Sequence, residues 1–189
     1  MELGSDGALY VADAAARFYS VNMDSGARSL ISDATRPDGG VNPFTNPTGI
    51  VLDEPNNRAL IADATTQQLL WVDLTSGART VWVDSDQLDF PFDIKMDEGG
   101  NRIILVDKDL EEVLAVDLST AALTTLSSTS TPSSGANSLQ TPWGIVIDED
   151  TDIAFVGSQS KVVPSGYASI LLVDLTTGER IVLSNSIAQ

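Results

Sequence analysis

Pro47-Thr48-Gly49-Ile50-Val51-Leu52-Asp53 returns as Pro91-Phe92-Asp93-Ile94-Lys95-Met96-Asp97, and again as Pro142-Trp143-Gly144-Ile145-Val146-Ile147-Asp148. The three prolines stand 44 and 51 residues apart. A period of this length marks a repeat architecture and has to be read before any single motif. After each copy comes a second apolar run: Ala59-Leu60-Ile61-Ala62-Asp63, Ile103-Ile104-Leu105-Val106-Asp107, and Ile153-Ala154-Phe155-Val156-Gly157-Ser158. A third follows in Leu70-Trp71-Val72-Asp73-Leu74-Thr75-Ser76-Gly77, Leu114-Ala115-Val116-Asp117-Leu118-Ser119-Thr120-Ala121 and Leu172-Val173-Asp174-Leu175-Thr176-Thr177-Gly178. A short fourth run, such as Arg79-Thr80-Val81-Trp82-Val83 or Arg180-Ile181-Val182-Leu183, closes the unit. The N-terminal segment joins the template at its second run, Ala8 to Asp13, and continues with Tyr19 to Gly26; its first run is missing. The organisation expected is a partial unit over 1–33 and complete units over 47–84, 91–128 and 142–184.

Each run is short, rich in β-branched and apolar residues, and bounded by Gly, Pro, Asp, Asn or Ser, which is strand patterning. No window sustains a 3.6-residue period. Asp97-Glu98-Gly99-Gly100-Asn101 and the Thr-Ser-Gly and Thr-Thr-Gly triplets are turn chemistry between antiparallel neighbours, because Gly and Asn tolerate positive φ and Asp or Ser bonds to its own turn. Four strands per unit at this period describes one blade of a β-propeller. The fold class expected is therefore all-β, with about four blades of four strands, the first lacking its innermost strand.

At these residues the chain resembles the NHL and YWTD repeat propellers and, more distantly, the gluconolactonase-like propellers. The resemblance covers essentially the whole chain. It implies a ring that usually closes with six blades, and under four complete units leave terminal blades to be covered. Three readings stay open: a piece of a longer protein, two copies completing one ring, or a small four-bladed closure. It implies no single activity, because such rings host binding modules, scaffolds and hydrolases alike.

Composition removes several chemistries. The 189 residues include neither cysteine nor histidine. Thiolate or imidazole metal sites, disulfides and histidine-assisted nucleophiles are thereby excluded. The 27 acidic residues outnumber 10 basic ones, for a net charge of −17. A field of that sign repels phosphate backbones and anionic lipid headgroups, so neither nucleic acid nor a membrane is an expected partner. Hydrophobic residues make up 42% of the chain, enough for a packed core.

Blade topology places candidate site residues without coordinates. The linkers entering first strands and the loops leaving second strands share one rim. That rim receives Thr48, Phe92 and Trp143 after the motif prolines, with Asp13, Asp63, Asp107 and Ser158 at second-strand ends. Extra length collects there too: linkers 34–46 and 128–141 exceed 85–90 by about seven residues each, and the loop after Ser158 gains about six, as expected of a binding face on a rigid scaffold. Asp93 replaces the glycine found at 49 and 144, which makes it the lone polar candidate near the axis. Phe92 and Trp143 offer rings that can stack on a sugar or peptide, or fill space between blades. The second-strand aspartates offer oxygen ligands to a cation such as Ca²⁺, against the simpler reading that each caps its following turn. Asp53, Asp97 and Asp148 recur on the opposite rim, and Asp73, Asp117 and Asp174 read as outward-facing hairpin residues. The loop Lys161 to Tyr167, apolar with one positive charge, is a candidate partner contact, and the Ser/Thr-rich stretch into Gly135 reads as solvated slack.

In the gluconolactonase-like enzymes the position after the motif proline can carry an Asn that binds the catalytic divalent cation. Here it is Thr48, Phe92 or Trp143, which argues against a metal-dependent lactonase. The first expectation is therefore a non-catalytic module of a larger exported protein, extracellular or periplasmic. It would bind a protein, glycan or small molecule on the long-loop rim with Thr48, Phe92, Asp93, Trp143, Asp63, Asp107 and Ser158, and require no cofactor. A lactonase-like hydrolase is the alternative, and a pure spacer a third reading. Self-association through open blade edges is an expected further property.

Overall fold

Strand after strand, an apolar side chain alternates with its neighbour across the backbone, and antiparallel pairing of successive runs gathers each alternating set onto one face. The result, in a computed structural model describing residues 1–37, 41–132, 139–148, 150–159 and 168–185, is four separate four-stranded antiparallel sheets. Sheet 1 contains β1 (Glu2–Leu3), β2 (Ala8–Asp13), β3 (Arg17–Asn22) and β4 (Arg28–Ser32). Sheet 2 contains β5 (Pro47–Asp53), β6 (Arg58–Asp63), β7 (Gln68–Asp73) and β8 (Arg79–Asp84). Sheet 3 contains β9 (Pro91–Asp97), β10 (Arg102–Asp107), β11 (Glu112–Asp117) and β12 (Leu123–Ser127). Sheet 4 contains β13 (Pro142–Asp148), β14 (Ile153–Gln159), β15 (Ala168–Asp174) and β16 (Arg180–Asn185). Strands follow chain order within every sheet. Apart from one 3₁₀ turn at Glu54–Asn56, all regular structure among the described residues is strand.

Sheet 1 departs from the sequence reading in one respect. Where the template shows no first strand, Glu2 and Leu3 pair with Tyr10 and Leu9. Two residues of ladder suffice there because pairing needs backbone groups and not the Pro-x-Gly-Ile pattern.

The chain divides into two compact units, 1–91 and 92–189, each with its own core. In the first, Tyr10, Ala12 and Phe18 of sheet 1 pack against Ile50, Ala59, Ile61 and Val72 of sheet 2. In the second, Ile104, Val106, Val113 and Ala115 of sheet 3 meet Ile145, Ala154, Val156, Leu171 and Val173 of sheet 4. Each fully buried Val, Leu or Ile contributes roughly 1.5–3 kcal/mol relative to exposure.

Turn chemistry recurs with the repeat. Asp73, Asp117 and Asp174 each accept the backbone N–H groups two and three residues ahead, so these are turn-closing residues. The bonds hold their carboxyls below the usual range: the Ser76 backbone dominates at Asp73, the Thr120 hydroxyl at Asp117 and the Thr177 backbone at Asp174. Every outer strand also carries a bulge at one register, between the partners of Phe18/Tyr19, Leu69/Leu70, Val113/Leu114 and Ile170/Leu171.

The bulge sets up a latch between the paired sheets of each unit. In the first unit the Ser32 hydroxyl donates to the Gly77 carbonyl at 2.9 Å, while Arg79 donates to Ser32 Oγ and to the Asp33 carbonyl, both at 2.7 Å. In the second, the Ser127 hydroxyl donates to the Gly178 carbonyl at 2.8 Å, while Arg180 donates to Ser127 Oγ and to the Thr131 carbonyl. Both arginines are buried, and desolvation pulls their pKa values down. Both glycines have positive φ, and a Cβ on either would overlap the bulge carbonyl of Ile31 or Leu126, so no larger residue fits.

Candidate functional site

The first unit holds two of the sequence-derived candidates, Thr48 and Asp63. Pro47 pairs with Asp63 across the first two strands of sheet 2, which puts both candidates at the same strand ends. Thr48 Oγ1 donates to the Pro91 carbonyl at 2.7 Å and lies 3.3 Å from the Ala62 carbonyl. Asp63 is fully buried. Its Oδ1 accepts the Thr65 and Thr66 N–H groups and its Oδ2 those of Thr45 and Asn46, so one carboxylate ties the incoming linker to the outgoing turn. A ligand here would meet the loops that Asp63 holds, not the carboxylate.

Asp107 repeats the turn half of this design in the second unit: it too is fully buried, and Oδ1 accepts the Asp109 and Leu110 N–H groups. Ser158 does the same job with a hydroxyl, accepting the Gln140 N–H and donating to the Gln140 carbonyl at 2.6 Å. Asp13 of sheet 1 closes its turn on the Ala15 and Arg17 N–H groups, and the Arg17 guanidinium beside it holds its carboxyl below the usual range. These groups shape the rim from beneath, as turn-capping predicts. Among the described residues, no three Asp or Glu side chains converge closely enough to hold a metal ion.

Phe92, Asp93 and Trp143 present a different surface. Phe92 meets Trp143 edge to face, with centroids 4.9 Å apart and rings at 82°. The Lys108 ammonium stands 4.8 Å from the Trp143 ring centroid, close enough for cation–π attraction. Trp143 nevertheless remains 42% exposed while Phe92 is half-buried against the core. Asp93 Oδ2 accepts the Ile145 N–H at 3.0 Å, and Oδ1 accepts the Ile94 N–H with Lys95 Nζ 3.8 Å away. The carboxylate that replaces the motif glycine thus joins β9 to β13. Sequence reasoning missed Lys108; its only signal is its place directly after Asp107, on the loop that Asp107 organises.

A cavity of about 710 Å³ also touches this region. Trp143, Gly157, Ser158, Gln159, Ile170 and Ser184 are among the residues that line it. It lies along the face of sheet 4 turned away from the core of its unit. The loop Lys161 to Tyr167 lies outside the described residues, as do residues 133–135 of the Ser/Thr-rich stretch, which begins in β12. On the opposite rim, Asp53 binds the Arg58 Nε at 2.7 Å and Asp97 the Arg102 Nε at 2.6 Å. Arg58 stacks on Trp71, which packs in turn on Trp82. These are packing and turn roles.

No protein-family model matches this chain, and no curated protein sequence matches it. Solved structures do. A chain of the nidogen/laminin complex superposes with a TM-score of 0.71 at 15% identity, over 95% of this chain and 62% of that one. Streptogramin B lyase matches with 0.64 at 15% identity, over 97% of this chain and 53% of its own. An extracellular domain assigned to a hybrid two-component system of B. thetaiotaomicron matches with 0.64 at 14% identity, over 100% and 21%. The chain thus spans less than two thirds of the length of each. Four four-stranded antiparallel sheets, with no helix among the described residues beyond one 3₁₀ turn, have the fold of the YWTD/NHL-type β-propellers.

Proposed function

We propose that this chain is a non-catalytic recognition module of an exported protein, and that its second unit engages a protein, glycan or small-molecule ligand through the rim around Trp143. The observation that carries this reading is the large exposed indole, framed by Phe92 and Asp93 on β9 and by Lys108 on the loop after β10. Trp supplies contact area at low entropic cost, Lys108 and Asp93 add directional polar contacts, and the sheets keep all four in place. The nidogen/laminin neighbour supports a protein partner, and the extracellular-domain neighbour supports a location outside the cytoplasm. No helix among the described residues is long and apolar enough to cross a membrane.

Probing glycan and peptide arrays with the labelled chain, followed by isothermal titration of any hit, tests this reading. Trp143→Ala should weaken binding by about tenfold or more. Failure of every array member together with turnover of a lactone would overturn it. The lyase among the fold neighbours supports a catalytic role in general, and the second reading is a divalent-metal hydrolase resembling lactonases. That reading requires a metal retained through dialysis and activity lost in Asp93→Ala.

A further inference from the structure

Each unit contains one sheet-to-sheet junction, and the two junctions are built alike. The earlier sheet presents a serine opposite an apolar residue of its third strand, Ser32 opposite Phe18 and Ser127 opposite Val113. The later sheet presents an arginine opposite a valine, Arg79 opposite Val72 and Arg180 opposite Val173, preceded by the glycine that lets the bulge carbonyl approach. Sheet 3 has Ala121 and Leu123 at the glycine and arginine positions, and sheet 2 has Val83 at the serine position, so neither half is a fixed feature of the repeat.

Both halves also occur on faces that no described residue covers. Sheet 4 carries Ser184 opposite Ile170, in the register of Ser32 and Ser127. Around it, Val146 is 60% exposed, Ile170 44% and Ile181 60%, and the 710 Å³ cavity runs between Trp143 and Ser184. Sheet 1 carries Gly26 and, two residues on, Arg28 opposite Val21, in the register of Gly77 and Arg79. Arg28 is exposed over the Tyr19 ring. Gly26 has φ of +69° like the latch glycines, yet a Cβ there would meet nothing within 4 Å: the space that a bulge carbonyl fills at Gly77 and Gly178 is open. Leu3, Leu9, Val21 and Arg28 share that face by register.

We propose that the chain self-associates head to tail, the outer face of sheet 4 in one copy seating on the outer face of sheet 1 in another, with Arg28 of the second copy latching onto Ser184. The occupant is set by complementarity: the two uncovered faces are the two halves of the junction already present twice, with apolar rows beside a serine on one and a glycine and arginine on the other. Such a contact is heterologous, so it closes a ring or continues as a chain. It does not rest on the ligand reading: Trp143 borders both surfaces, but Arg28 and Ser184, the residues substituted below, lie outside the Phe92–Lys108 group.

Sedimentation velocity of the chain from about 1 to about 100 μM, a range that reveals micromolar association, is the first test. Concentration-dependent dimers or larger species are expected. Arg28→Leu and Ser184→Val, both at exposed positions, should each weaken association roughly tenfold or more, with circular dichroism unchanged. Mixing the two variants is the sharper arm: the first keeps its sheet 4 face and the second its sheet 1 face, so the mixture should recover a 1:1 heterodimer that grows no further. A monomer at every concentration overturns the proposal, as does association indifferent to both substitutions or a mixture no stronger than its components.

Discussion

The first-strand ends of the two units use one template position in opposite ways. In the first unit Thr48 donates its hydroxyl to a neighbouring carbonyl, and Asp63 below it is sealed among four backbone amides. In the second, Phe92 and Trp143 occupy the same motif position and leave an indole 42% exposed, with Lys108 against it. The scaffold beneath is related, since Asp107 holds its outgoing turn and Ser158 its incoming linker, the two ties that Asp63 makes at once. A repeat can therefore stay structurally silent in one place and present a surface in another by changing one residue after a proline.

Substitutions that break this contrast should differ in size and kind. Asp63→Ala strips the acceptor from four backbone N–H groups at a fully buried site and should lower unfolding free energy by roughly 3 kcal/mol or more, read as a shifted denaturant midpoint. Trp143→Ala should do the reverse: a tenfold loss in ligand binding, with stability reduced by only about 1 kcal/mol from the lost edge-to-face pair. If Trp143→Ala proved as destabilising as Asp63→Ala, the indole would belong to the core and the contrast would fail. Thr48→Val removes one half-buried hydrogen bond and should cost about 1 kcal/mol without any effect on a ligand bound in the second unit.

The faintest effect concerns turns on the other rim. The carboxyls of Asp73, Asp117 and Asp174 have folded-state pKa values below the unfolded value of about 3.9. Their contribution is therefore fully present above that value and is lost as pH falls through the folded-state pKa. Asp117→Asn, which keeps an acceptor but cannot titrate, should flatten the acid limb of a stability–pH curve below about pH 4, by a small amount because the group is exposed to solvent. An unchanged acid limb would show that the turn bonds do not favour the ionised form.

How much of this was legible beforehand follows from the range over which each signal acts. Strand runs, turn residues and the period were readable because each depends on neighbours a few residues away. The roles of the second-strand aspartates were half readable: an Asp at a strand end foretells bonds to the next turn, but nothing in Asp63 itself announces that a linker 17 and 18 residues upstream will bring Asn46 and Thr45 to its other oxygen. Asp93 was picked out for replacing a glycine, yet its partner, the Ile145 amide, belongs to the next repeat.

Composition and periodicity by themselves determined that the chain is all-β, repeats in four-stranded units and lacks histidine and thiolate chemistry. Only the tertiary structure decided that Lys108 would stand against Trp143, that Ser32 and Ser127 would meet arginines 47 and 53 residues away, and that no described residue would cover the matching halves at Arg28 and Ser184. Alternation along a strand assigns a residue to a face; what that face touches depends on how whole sheets pack, which no local pattern encodes.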